Sequence, residues 1–289
     1  MKIFIDTADL DEIKEAASWG ILDGVTTNPS LIKKAVEKMK ARGKQISMED
    51  YIKEICRSVD GPVSLEVKGR RYDEMVREAK ILYEKFNGVN NNVVIKIPIN
   101  TAFSPDDEQF EGIKAIKELE SLGIPTNATL VMTPEQALLA AKAKASYVSP
   151  FLGRVDDFIR KKMGIQHGKM DYWDYEAIEL IEQEERKKNV EKGYEGVAAI
   201  NYGDNGIYSG VELVYDVIEI YEAYGYETKI IAASIRNARQ VRQVAMLGVD
   251  IATIPFIVIK EMISHYKTME GMKKFSEDVV EEYEEIFKS

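Results

Sequence analysis

Short apolar runs alternate along this chain with longer stretches whose apolar residues recur every three to four positions. The runs predict strands at residues 2–6, 24–26, 63–67, 93–98, 126–131, 147–151, 229–234 and 251–254. Several of them, such as NVVIKIPI and KIIAASI, are apolar throughout. Parallel strands buried on both faces read this way, whereas half-exposed hairpin strands alternate. Between them the spacing predicts helices at 9–18, 28–41, 50–59, 72–85, 110–122, 134–143, 207–224, 238–247 and 256–265. Asp9 is a helix-start signal, as is Thr133 followed by Pro134 and Glu135, while Gly20, Gly123 and Gly248 fall where helices should stop. Strands each followed by a helix predict an α/β fold, a (β/α)8 TIM barrel formed as one domain over residues 1–289. A doubly wound open sheet is the alternative. It would carry G-x-G-x-x-G after its first strand, where this chain reads DTADLDE.

Two stretches exceed a minimal barrel. Residues 100–108 (NTAFSPDDE) lengthen the loop after strand four. Residues 158–203 form a charged, tyrosine-rich insertion after strand six, with a helix expected at 172–188. Both follow strands, so both would hang over the C-terminal face, as a lid or as surface elaboration and oligomer contact. Residues 270–289 predict an extra acidic amphipathic helix packed on the barrel or on a neighbouring subunit.

The 289 residues are 45% apolar, an ordinary globular value, and no apolar run reaches the ~18–20 residues of a membrane span. The opening MKIFIDTADLDEIK breaks its apolar stretch at Asp6, unlike a secretory signal, and the expected location is cytoplasmic. One Cys and two His provide no metal cluster, and no metal or cofactor is expected. A net charge of −10 argues against nucleic acid as a partner, though not against a small anion site.

Polar residues inside buried strands therefore stand out. Lys96 in NVVIKIPI either pairs with a carboxylate or stands with a lowered pKa, as a Schiff-base nucleophile needs. Asp6 and Glu66 can reach the same barrel mouth and divide proton transfer from water activation, or one of them simply neutralises Lys96. Asn127 and Thr129 share one face of strand five and can hold a substrate hydroxyl or water, or form a layer of small core residues. Ser149, Phe151 and Arg154 follow on strand six, Ser234 and Arg236 on strand seven. Two arginines and two serines at adjacent strand ends can form a phosphate cradle, a frequent feature of late barrel loops, or else Arg236 belongs to a basic helix start with Arg239 and Arg242. Arg239 and Arg242 read as that helix start in either case. Asn28 in TTNPS caps a helix, contacts substrate, or does both.

Taken together, FIDTAD, DGVTTNPSLI, VSLEV, VVIKIPI, PTNATLV, YVSPFLGRVDD and AASIRN resemble the transaldolase family. The likeness is to its short-chain branch, which includes fructose-6-phosphate aldolases. The motifs run from residue 1 to about 157 and again from about 204 to the end; the loop at 100–108 and the 158–203 insertion depart from them. The resemblance implies that Lys96 is the Schiff-base lysine and Asp6 the acid/base at the C4 hydroxyl. Glu66 and Thr129 match the residues that position water, while Asn28, Asn127 and Ser149 match those that hold substrate. Arg154, Ser234 and Arg236 match the phosphate-binding set.

The implied reaction moves a dihydroxyacetone unit from a ketose phosphate to an aldose phosphate, a pentose-phosphate-pathway transfer without cofactor. The family's aldolases carry Gln and Tyr where this chain has Glu66 and Phe151, which favours transaldolase over fructose-6-phosphate aldolase. A non-catalytic sugar-phosphate-binding barrel is the reading from another class. The resemblance also implies a homo-oligomer, with pentamers pairing as decamers in short-chain members.

Overall fold

The computed structural model describes residues 1–43 and 47–288. Eight strands follow one another along the chain. They are β1 (Lys2–Asp6), β2 (Gly24–Thr26), β3 (Val63–Glu66), β4 (Val93–Pro98), β5 (Thr126–Val131), β6 (Tyr147–Pro150), β7 (Lys229–Ala232) and β8 (Ile251–Ile254). Each pairs in parallel with the next, and β1 pairs with β8 to close a barrel. Helices connect the strands on the outside, so the predicted (β/α)8 architecture is the observed one.

The two faces of each strand do different work. On β4, Val93, Ile95 and Ile97 join the large core between barrel and helices, while Val94, Lys96 and Pro98 take the opposite, inward face. The same alternation sends Phe4, Ile231 and Ile251 into a separate apolar cluster, with Tyr147 packed against it. This cluster plugs the N-terminal half of the barrel. Gly24 makes room for it, since a Cβ there would lie 2.7 Å from the Phe4 ring. Two residues further along their strands the inward positions turn polar: Phe4 gives way to Asp6, Gly24 to Thr26, Val94 to Lys96, Tyr147 to Ser149 and Ile251 to Thr253. All of these polar groups face the C-terminal mouth, where barrels do their chemistry.

Strand ends depart from the sequence pattern where the backbone leaves extended geometry. Ser234 adopts φ +60°, which ends β7 at Ala232, and Phe151 survives beyond β6 only as a single bridge to Ala233. Leu130, at φ +59°, accompanies a register shift between Ala128 and Val131.

Two larger expectations need correction. The helix after β6, Leu152–Lys162, was not predicted, and it takes in Phe158–Lys162, which the pattern assigned to the insertion. Its buried apolar side chains are only Leu152, Val155 and Ile159, and the buried face also holds Gly153, Asp156 and Arg160, so it reads as polar surface. The insertion proper follows it and contains the Tyr175–Lys188 helix, a 3-10 turn at Val190–Lys192 and the short Gly193–Ala198 helix. The single C-terminal helix expected at 270–289 is instead two, Tyr266–Glu277 and Glu281–Glu285, and neither buries a residue on the barrel. Between them the first helix ends at its C-cap Asp278, and Val280 is extended at φ −100° and ψ 154°.

Candidate active site

Asp6, Glu66 and Lys96 enter the mouth from β1, β3 and β4. Glu66 and Lys96 are register partners on adjacent strands, and the Lys96 Nζ lies 3.2 Å from Glu66 Oε2. Lys96 is only 4% exposed. Its ammonium also donates to the main-chain oxygen of Thr27 at 3.2 Å. A buried cation is tolerated only when it is paired and hydrogen-bonded in this way. The Phe151 ring stands 5.8 Å from the same Nζ and forms an apolar wall beside it.

Asp6 accepts a hydrogen bond from Thr26 Oγ1 at 2.9 Å, and that hydroxyl meets Thr253 Oγ1 at 2.6 Å. Burial pushes the Asp6 carboxyl above the usual carboxylate range. The positive charge of Lys96, the Thr26 hydroxyl and the charges of Lys169 and Arg236 pull it back part of the way. A carboxyl raised in this way holds a proton more readily than an exposed one, as a group that takes and returns protons must.

On the opposite side, Ser149 Oγ donates to Asn127 Oδ1 at 2.8 Å and Asn127 Nδ2 donates to Ser64 Oγ at 3.3 Å, which fixes the amide's orientation. Thr129 Oγ1 is buried without a hydrogen-bond partner among the described residues. It is a hydroxyl with bonding capacity to spare. Asn28 caps the Pro29–Ala41 helix, its Oδ1 accepting from the Leu31 N–H at 3.0 Å, so its amide nitrogen and one lone pair of that oxygen are left for a ligand.

The cations lie between β6 and β7. Arg154 is exposed, with its guanidinium 5.2 Å from the centroid of the Phe151 ring. Arg236 donates from one terminal nitrogen to Asp157 Oδ2 at 2.8 Å, while its Nε is buried without a partner. Gly153 lets this arginine lie flat, since a Cβ there would come within 2.3 Å of both Arg236 Nε and the Ser234 carbonyl oxygen. Behind it, the Arg236 N–H donates to Gln240 Oε1 at 2.7 Å, and Gln240 Nε2 donates to Asp156 Oδ2 at 2.7 Å. Burial pushes the Asp156 carboxyl up to about 6. Arg239, read from sequence as part of a helix start, stacks its guanidinium 3.2 Å from the centroid of the Tyr172 ring.

The lengthened loop at 100–108 is latched to the β3 side. Arg70 reaches Asp107 at 3.2 Å and lies over the Phe103 ring, and Thr101 Oγ1 donates to the Arg70 carbonyl. The insertion after Lys162 sits on the β6–β7 side. Arg160 donates to the Asp171 carbonyl at 2.8 Å, Asn237 Nδ2 to the Met170 carbonyl at 3.2 Å and Trp173 Nε1 to the Tyr208 carbonyl at 2.7 Å.

Sequence reasoning overlooked the supports: Thr26 and Thr253 for Asp6, Ser64 for Asn127, and Gly153, Asp157 and Gln240 for Arg236. Thr26, Ser64 and Thr253 carried a usable signal, because each is a polar residue in an otherwise apolar strand, as Lys96 is.

Residues 3–288 match the family described as Transaldolase/Fructose-6-phosphate aldolase. The chain belongs to this family. Among similar proteins, one named probable transaldolase from Chlorobaculum parvum is 42% identical over 278 residues, covering 96% of this chain and 97% of that protein. A probable transaldolase from Prosthecochloris aestuarii is 42% identical over 281 residues, with the same coverage of both chains. Another, from Chlorobium phaeovibrioides, is 41% identical over 278 residues. No helix among the described residues is long and apolar enough to cross a membrane.

Proposed function

We propose that this chain is a transaldolase, moving a dihydroxyacetone unit from a ketose phosphate such as fructose 6-phosphate to an aldose phosphate such as erythrose 4-phosphate. The observation that carries this reading is the buried Lys96 at 3.2 Å from Glu66, in a mouth that also holds the Asp6 carboxyl. A lysine so enclosed is the group that can condense with a ketone.

In the proposed sequence, Lys96 gives up a proton towards Glu66 and its amine attacks the ketone carbon. Water leaves and an imine forms, with Glu66 and the unpartnered Thr129 hydroxyl orienting that water. Asp6 takes the proton from the C4 hydroxyl, the C3–C4 bond breaks, and its electron pair passes to the imine to give an enamine. The aldehyde phosphate leaves. The three-carbon enamine on Lys96 then adds to the acceptor aldehyde, Asp6 returns its proton, and water hydrolyses the imine. Asn28, Asn127 and Ser149 hold the hydroxyls, while Arg154, Ser234 and Arg236 hold the phosphate. Arg236 gives only one terminal nitrogen to Asp157, and guanidinium binds phosphate through paired N–H groups, which supports this last role.

Phe151 supports transfer over simple cleavage. A phenyl ring beside Lys96 can neither protonate the enamine nor hold water against it, so the enamine survives to meet an acceptor. The same reading carries a place in the pentose phosphate pathway, a cytoplasmic location and a homo-oligomeric state. The test is release of glyceraldehyde 3-phosphate from fructose 6-phosphate with and without erythrose 4-phosphate, together with borohydride trapping on Lys96. Acceptor-dependent release and a three-carbon adduct on Lys96 are expected. Equal release without acceptor would make the chain an aldolase, and no release with no adduct would leave a binding protein.

A further inference from the structure

The insertion after β6 carries cations that the proposed reaction does not use, among them Lys169. Residues 168–171 form a tight turn, with the Asp171 N–H donating to the Gly168 carbonyl at 3.1 Å and the Gly168 N–H to Asp171 Oδ2 at 2.6 Å. Lys169 and Met170 are its two central residues. The turn is seated against the immediate surroundings of Arg236. On one side His167 Nε2 lies 3.4 Å from Asp157 Oδ1, whose other oxygen binds Arg236. On the other, Asn237, the residue after Arg236, holds the Met170 carbonyl at 3.2 Å. Lys169 is thus bracketed by two contacts that both end next to that arginine. Among the described residues it forms no ion pair of its own, and its charge is felt by the Asp6 carboxyl across the mouth.

We propose that Lys169 is a phosphate-binding residue of the barrel mouth, adding a third cation to Arg154 and Arg236 and favouring substrates with a terminal phosphate dianion. The inference rests on reading Arg154, Ser234 and Arg236 as the phosphate cradle. Charge matching argues for it. Asp157 already neutralises Arg236, which leaves Arg154 alone against a dianion; Lys169 brings the free positive charge to two. In a chain of net charge −10, such a local concentration of cations also helps an anionic substrate to approach.

Calorimetric titration of the full-length protein with inorganic phosphate tests this without relying on turnover. Lys169→Gln is expected to weaken phosphate binding about tenfold, and Lys169→Arg to restore most of it. Wild-type affinity in Lys169→Gln would overturn the inference. So would failure of Lys169→Arg to restore binding, because the loss would then belong to the turn and not to the charge. Arg236→Gln, measured alongside, separates the two levels. If the wild-type chain binds no phosphate, or Arg236→Gln binds it unchanged, the cradle itself is misassigned; if only the Lys169 variants behave as wild type, the cradle stands and this residue drops out.

Discussion

Lys96 and Glu66 are direct neighbours across the β3–β4 ladder, register partners whose charged ends meet at 3.2 Å inside a closed barrel. Parallel pairing fixes both side chains on the same inward face, so the contact is built into the register and does not depend on a flexible loop.

On the proposed mechanism, Glu66→Gln keeps the lysine in place but removes the acceptor for its proton. Transfer is expected to fall about 10²-fold, the usual scale for a lost acid–base group. Borohydride should still trap an adduct on Lys96 in this variant, while Lys96→Arg, with the charge kept and the imine impossible, should give neither adduct nor turnover. Wild-type transfer rates in Glu66→Gln would remove this carboxylate from the chemistry.

Phe151→Tyr places a hydroxyl on the wall beside the enamine. Cleavage of fructose 6-phosphate without acceptor should rise several-fold relative to transfer, measured as the ratio of glyceraldehyde 3-phosphate released in the two conditions. An unchanged ratio would count against the ring as the device that protects the intermediate.

Gly153→Ala should disturb Arg236 from behind. Its new methyl group would meet the arginine Nε and the Ser234 carbonyl at 2.3 Å, and the carbonyl cannot swing away. Overpacking of this kind costs about 1–3 kcal/mol, and it should appear both as a lower melting temperature and as a raised KM for fructose 6-phosphate. A variant with normal KM would show that the guanidinium does not need this seat.

Asp6 links catalysis to pH. Burial raises its carboxyl in the folded chain above the unfolded value, so the folded state holds the proton more tightly. Its contribution to stability is therefore present at low pH and is lost as pH rises through the folded-state value. Asp6→Asn, which can still accept from Thr26, should melt higher than wild type at pH 7, with the gap closing towards pH 4, while transfer falls steeply. Equal melting temperatures at pH 7 would show that the buried charge is fully compensated by its neighbours.

The polar lining of the mouth was legible because a barrel strand should be apolar. Lys96 inside NVVIKIPI and Asn127 and Thr129 inside TNATLV break that rule, and each turns out to face inward at the C-terminal end. What the pattern missed follows from two limits of periodicity. The Leu152–Lys162 helix has a narrow apolar stripe, so its period is drowned by residues such as Arg154, Asp156 and Asp157. The C-terminal helix was overdrawn because an amphipathic pattern says which face is apolar and not whether the backbone continues through Val279–Val280. The supports of Arg236 divide in two. Gln240 lies four residues further along the same segment, at the start of the helix that Asn237 caps, whereas Gly153 and Asp157 reach the arginine only because β6 closes against β7.

Three of the clasps that seat the long segment after Lys162 share one property. Arg160, Asn237 and Trp173 all bond to carbonyl oxygens of the backbone, at Asp171, Met170 and Tyr208. A main-chain oxygen is the same whatever side chain stands above it. Positions such as 169 and 170 can therefore be exchanged while the loop keeps its berth, which gives evolution a way to retune what the barrel accepts without reopening how the barrel folds.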